Sequence, residues 1–168
     1  MEDIILKRYF INIIKNCLEY IGNNVEDISI MFVYISFEVN PYFNVYFSNG
    51  IKTVKKNKLN EISKTYIDTS REAQSNLSDI CLDELFELRN EKKINNTYNL
   101  PVQIKITHSI DTKASSFEIS YTDQILDKTN TLNVDLAEKW FAELGGELLP
   151  HSLYRMKQLF GDDFLEKK

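Results

Sequence analysis

The chain has 168 residues, of which 43% are hydrophobic and 27% charged, a composition typical of one soluble globular domain. Only five glycines and three prolines are present, which excludes collagen-like and linker-rich chains. The formal net charge of −5 is opposite in sign to the charge with which nucleic-acid binders neutralise phosphates, so we expect no nucleic acid as a partner.

We expect a single domain over residues 1–168, with 133–168 as a helical C-terminal portion. The first residues lack the basic start and unbroken apolar stretch of a signal peptide. The longest apolar stretch, residues 28–37, is far shorter than the roughly 20 residues that a membrane-spanning helix needs. We therefore expect a cytoplasmic protein that has no membrane partner.

The first half of the chain is predicted to form one helix and three strands. Apolar residues recur every three or four positions over residues 3–21, which predicts an amphipathic helix. Residues 28–37 are apolar on both faces and rich in β-branched and aromatic side chains, which predicts a central strand. Residues 42–47 alternate as its hairpin partner, and residues 51–56 are predicted to form an outer strand.

A second long helix is predicted over residues 70–93, begun by a capping box of Thr69 and Glu72. Its apolar residues occupy a wide arc, so we expect the helix to be mostly buried. The narrow remaining arc is polar and acidic: Glu72, Asn76, Asp79, Asp83, Glu87 and Asn90.

The second half is predicted to form two strands and two helices. Residues 102–110 and 117–121 alternate apolar and polar side chains, typical of an antiparallel pair with one buried face. Asn133 or Asp135 is predicted to cap a helix that ends at Gly145-Gly146, and Pro150 begins a last short helix. The order α-β-β-β-α-β-β-α-α predicts an α+β fold, with an antiparallel sheet of four to five strands packed with two long helices.

Few residues offer catalytic or metal-binding chemistry. His108 lies on the apolar side of a predicted strand and His151 at a helix start, neither within a recognisable catalytic signature. Cys17 and Cys81 are interpreted as buried core thiols. The lysine-rich stretch 52–58 is interpreted as protection of an edge strand, with a phosphate-binding patch as the alternative. We expect no catalytic residue, no metal ligand and no cofactor.

Residues 82–92 read Leu-Asp-Glu-Leu-Phe-Glu-Leu-Arg-Asn-Glu-Lys, and this segment resembles the long helix of the YezG-like immunity proteins of bacterial polymorphic toxin systems. Further segments come in the order that this family shows: a polar linker at 95–99, strands at 102–110 and 117–121, and an aromatic-rich segment with Trp140, Leu144-Gly145 and Leu149-Pro150. The resemblance covers residues 3–155. It departs at 99–101, where Asn-Leu-Pro stands in place of an acidic Glu-Pro-Trp-like segment.

The resemblance implies a small cytoplasmic immunity protein that binds and neutralises a cognate toxin domain, often a nuclease, as in contact-dependent growth inhibition. Because a nuclease needs a basic surface for phosphates, an acidic partner suits that surface. One candidate contact region, the acidic loop region, is Glu118, Asp123, Asp127 and Asp135. The other, the acidic face, is Glu72, Asp79, Asp83 and Glu87.

We expect the acidic loop region to be the better candidate, because loops after strands are often recruited for binding. Ordinary solvated surface charge is the competing interpretation of both regions. Two other functions stay open at this point. One is an enzyme of unrecognised type that acts through its acidic residues or His108, and the other is an adaptor domain that binds a peptide at an open sheet edge.

Overall fold

The computed structural model describes residues 2–23, 26–38, 40–95, 100–121 and 131–166. Its strands are β1 (Ile30–Ser36), β2 (Tyr42–Ser48), β3 (Thr53–Lys55), β4 (Gln103–Ser109) and β5 (Ala114–Ser120). The described helices are α1 (Glu2–Tyr20), α2 (Arg71–Asn95), α3 (Asn133–Glu143) and α4 (Pro150–Phe160), with a short 3-10 helix at Lys56–Glu61. The predicted α+β class and the predicted order of elements are confirmed.

The five strands form one sheet in the order β3-β2-β1-β4-β5, and every neighbouring pair is antiparallel. β1 is central because both of its faces are apolar, and all its residues except Ile30 are buried. Val33 of β1 pairs with Val45 of β2 on one side and with Ile106 of β4 on the other. The expectation of a central strand over 28–37 is therefore confirmed.

The helices α1 and α2 cover one face of the sheet and form the larger core. Met31, Val33 and Ile35 of β1 point into this core, where they join Phe10 of α1 and Leu85 of α2, all essentially inaccessible to water. The spacing of apolar residues at three to four positions along both helices produces these packed stripes.

The opposite face of the sheet carries a smaller aromatic core under α3. Trp140 packs edge-on against Phe32, with ring centroids 5.9 Å apart, and Phe141 lies 4.8 Å from the ring of Tyr46. α4 packs on α3 through Met156, which is buried beside Ala142. The molecule thus has three layers, with α1 and α2 on one side of the sheet and α3 and α4 on the other.

Three expectations about local structure are wrong. The outer strand is only Thr53–Lys55, because Ile51 is 95% exposed and the chain turns into a 3-10 helix at Lys56. The N-cap of α2 is Ser70, whose hydroxyl accepts a hydrogen bond from the backbone N–H of Ala73 at 3.2 Å. α2 is less buried than expected, since Ile80 and Phe86 are 47% and 41% exposed.

Within the described part of the chain, the helices fall short of the combined length and hydrophobicity that crossing a bilayer requires.

Candidate functional site

The four carboxylates of the acidic face lie exposed along one side of α2, as predicted. The opposite side of α2 is fixed to the core by Leu77, Leu85 and Leu88, which are buried. The acidic face extends over about 22 Å from Glu72 to Glu87, given a rise of about 1.5 Å per helical residue. No described lysine or arginine comes within 4 Å of these carboxylates. The acidic face therefore presents charge to solvent on a rigid element.

Two cationic side chains lie near the N-terminal end of α2. A cleft of about 350 Å³ near the N-terminal end of the helix is lined by Lys56, Arg71 and Asp79, together with uncharged polar side chains. The Lys56 ammonium donates a hydrogen bond to the side-chain oxygen of Asn44 at 3.3 Å. Burial lowers the pKa of Lys56. Lys56 and Arg71 therefore compensate part of the negative charge at the N-terminal end of the acidic face.

The acidic loop region does not form one exposed surface. Glu118 is exposed on the edge strand β5, where it pairs in register with Lys105 of β4. Asp123 and Asp127 lie outside the described residues. Asp135 is only 2% exposed, so the expectation that its carboxylate faces solvent is wrong. Of the two predicted regions, the acidic face is the one whose residues all share an accessible surface.

Asp135 is buried because it has a structural role at the start of α3. One carboxylate oxygen accepts the backbone N–H of Leu132 at 2.8 Å, which is half of a capping box. Arg155 of α4 donates two hydrogen bonds to the same carboxylate, from Nε at 2.5 Å and from Nη2 at 2.7 Å. The hydrogen bonds to Asp135 raise the pKa of Arg155. The pair ties α3 to α4, and sequence reasoning missed it because Arg155 is twenty positions away.

A groove between α1 and the β4–β5 hairpin was not anticipated from the sequence. It encloses about 580 Å³, and we call it the α1 groove. Its apolar floor consists of Ile11, Ile14, Leu18, Ile110 and Phe117. Ile4 and Ile11, which are 72% and 47% exposed, fall outside the buried stripe of α1, and this is the sequence signal that could have indicated an apolar outer surface.

His108 and Ser115 lie at the wall of the α1 groove. The Nδ1 atom of His108 is 2.7 Å from the Ser115 hydroxyl oxygen, and burial lowers the pKa of the imidazole. The described residues that line the α1 groove include no aspartate or glutamate of the kind that completes a catalytic triad with a histidine and a serine.

The two thiols lie between α1 and α2. Cys17 and Cys81 are fully buried, which confirms their interpretation as core residues. Burial raises the pKa of the Cys17 thiol well above its ordinary value, and the neighbouring Cys81 adds to the rise. A thiol held in this protonated form is a poor nucleophile.

Tyr9 and Arg8 connect α1 to the far end of α2. The hydroxyl of Tyr9 donates to the carboxylate of Glu91, and Arg8 forms an ion pair with the same group at 3.4 Å. Burial raises the pKa of Tyr9 to about 12, with the Glu91 carboxylate contributing. This contact adds a polar connection between α1 and the C-terminal part of α2 to the apolar packing that holds the helix.

In the part of the chain that the structure describes, no three histidine, cysteine, aspartate or glutamate side chains group together as metal ligands would. The chain matches no protein-family model, and no curated protein is similar enough to count as a relative. Among the described surface features, the acidic face is distinguished by its charge and the α1 groove by its apolar floor.

Proposed function

We propose that this protein is an immunity protein that binds a cognate bacterial toxin domain, most simply a nuclease, and blocks its basic substrate-binding surface. It acts in the cytoplasm, where such a toxin reaches its substrate. The observation that carries the proposal is the acidic face, four exposed carboxylates on one side of α2 with no described cation within 4 Å. The resemblance of residues 82–92 to the long helix of the YezG-like family supports the same function.

The spacing of the carboxylates is not what helix stability alone favours. Asp79, Asp83 and Glu87 follow one another at intervals of four residues, which places like charges on successive turns. Each such pair destabilises a helix by about 0.2–0.5 kcal/mol. A cationic partner would convert this repulsion into attraction, so the arrangement suits a surface that binds a basic protein.

The geometry also suits competition with a nucleic acid. Phosphates of one DNA strand advance about 3.4 Å along the axis per residue, so the 22 Å or so of the acidic face equals the length of about six phosphates. A row of carboxylates of this length can occupy the groove that a nuclease provides for its substrate. The field of the row also accelerates encounter with a basic partner, and salt weakens that effect.

The proposal predicts that a neighbouring gene encodes the toxin, and neutralisation of that gene's product tests it. The toxin domain is produced in cells together with this protein, and survival is measured. We expect the wild-type chain to protect the cells and to co-purify with the toxin domain. The quadruple variant Glu72→Gln, Asp79→Asn, Asp83→Asn, Glu87→Gln should lose both properties, since it removes the charge of the acidic face.

A matched control removes the same number of charges from other exposed positions: Asp111→Asn, Glu147→Gln, Asp162→Asn and Glu166→Gln. This control should protect the cells as well as the wild type does. The acidic-face variant should melt close to the wild type, because relief of the repulsion between Asp79, Asp83 and Glu87 offsets the lost attraction between Glu72, in the first turn of α2, and the helix dipole. Full protection by the acidic-face variant would refute this mode of binding, and failure of the wild type to bind the toxin domain would refute the proposed function.

A further inference from the structure

The α1 groove differs in chemistry from the rest of the molecule. Three lysines line it, Lys7 and Lys15 from α1 and Lys113 from the β4–β5 turn, and none of the described lining residues carries a carboxylate. This concentration of cations occurs in a chain whose net charge is −5. All three lysines are exposed, and none has a described carboxylate within 4 Å of its ammonium group. The positive charge of the α1 groove therefore favours an anionic ligand.

The floor of the α1 groove is apolar over most of its length. Ile11 is 47% exposed there, although exposing an isoleucine side chain to water is unfavourable. Phe117 forms part of the floor and is held in place by ring stacking on Phe10, with centroids 6.0 Å apart. A ligand that covers this floor would gain the free energy of removing apolar surface from water.

The volume of the α1 groove, about 580 Å³, falls in the range of roughly 300–1,000 Å³ typical of small-molecule sites. Lysine side chains lay their methylene stems along apolar surface and keep the ammonium group in water. An apolar floor with three such side chains at its rim matches a molecule with a long apolar part and a negatively charged end.

We propose that the α1 groove binds a free single-chain amphiphile with a carboxylate head, such as a fatty acid. The acyl chain lies on the floor between Ile11 and Phe117, and lysines at the rim hold the carboxylate. No residue of the acidic face lines the α1 groove, and this proposal does not depend on the proposed function.

Binding of dodecanoate below its micelle-forming concentration, measured by titration calorimetry, tests this site. The comparison ligand is dodecyltrimethylammonium, which has the same chain length and the opposite charge. We expect one dodecanoate per protein and an affinity at least about tenfold higher than for the cationic analogue, because the lysines attract the one and repel the other. Equal affinities, or no binding of dodecanoate, would overturn the proposal.

Two exposed isoleucines provide a matched pair of variants. Ile11 and Ile80 are both 47% exposed on helices, but only Ile11 lines the α1 groove. Ile11→Glu should weaken dodecanoate binding by at least about tenfold, because it removes apolar floor and adds a repelling charge. Ile80→Glu should leave binding unchanged, and an equal loss in both variants would refute the location of the site.

The lysines are tested by the triple variant Lys7→Gln, Lys15→Gln, Lys113→Gln, whose positions are exposed and tolerant of change. It should bind the two ligands with similar affinities. The control triple variant changes three exposed lysines elsewhere: Lys58→Gln, Lys64→Gln and Lys157→Gln. The control should keep the preference for dodecanoate. Binding to vesicles of anionic phospholipid, with none to dissolved dodecanoate, would show a membrane-binding surface and contradict the proposal.

Discussion

Replacing Asp135 by alanine should destabilise the fold, although Asp135 is one of the acids that the sequence suggested for an exposed binding region. Its carboxylate is 2% exposed and accepts the N–H of Leu132 at 2.8 Å, together with two hydrogen bonds from Arg155. A hydrogen bond to a charged group contributes about 1.5–3 kcal/mol. Arg155 is partly exposed and can be rehydrated once its partner is gone, so the bond to Leu132 dominates the loss.

We therefore expect Asp135→Ala to lower the free energy of unfolding by about 2–3 kcal/mol. In a chain of this length, about 1 kcal/mol corresponds to about 2–4 °C in melting temperature, so the variant should melt about 5–10 °C lower. Thermal unfolding followed by far-ultraviolet circular dichroism measures the shift. Asp135→Asn keeps an oxygen acceptor for the backbone N–H of Leu132 and should lower the melting temperature less.

The matched control is Asp79→Asn on the acidic face, which should change the free energy of unfolding by less than about 0.5 kcal/mol. Equal melting temperatures for Asp135→Ala and the wild type would refute the structural role of the Asp135 carboxylate. Destabilisation by Asp79→Asn as large as that by Asp135→Ala would refute the distinction between the buried and the exposed acids.

Three further predictions concern the larger core. Lowering the pH from about 7 to about 5 should destabilise the wild type more than His108→Gln. Burial lowers the pKa of the His108 imidazole in the folded state, so over this range the unfolded chain takes up the proton more readily than the folded one. An equal loss of unfolding free energy with pH in the two proteins would contradict this. Cys17 and Cys81 should react with a thiol reagent only as fast as the fold opens, and rapid labelling in native buffer would argue against their burial. Phe10→Ala should lower the free energy of unfolding, measured by chemical denaturation, by about 3–5 kcal/mol, whereas Ile4→Ala, at a position 72% exposed, should lower it little.

The architecture of the sheet could be predicted because its signals are local. A strand with apolar residues on both faces, such as residues 28–37, has to be covered on both sides, and the structure places it at the centre. The alternation in β4 identified its buried face in the same way, whereas the apolar residues Phe117 and Ile119 of β5 are only partly buried. Strand length was harder to predict, since nothing in residues 51–56 alone shows that Ile51 has no partner to pack against.

The candidate sites also differ in whether their features depend on local sequence or on residues far apart in the chain. Exposure of the acidic face follows from helical periodicity, which a sequence displays directly. The burial of Asp135 depends on Arg155, whose distance along the chain gives no sign that the two meet. The α1 groove depends on how α1 and the β4–β5 hairpin lie against each other. The apolar residues Ile4 and Ile11, outside the buried stripe of α1, are the sequence signal that could have indicated that surface.

The proposed toxin-binding role is tested most directly by the affinity of this protein for the product of its neighbouring gene, measured at about 50 mM and about 200 mM salt. The wild type should bind more weakly at the higher salt concentration. Neutralising the acidic face should weaken binding at low salt by at least about tenfold and remove most of the salt dependence. The control variant with four charges removed elsewhere should behave like the wild type. If both variants retain the affinity and the salt dependence of the wild type, the acidic face is not the surface that binds the toxin.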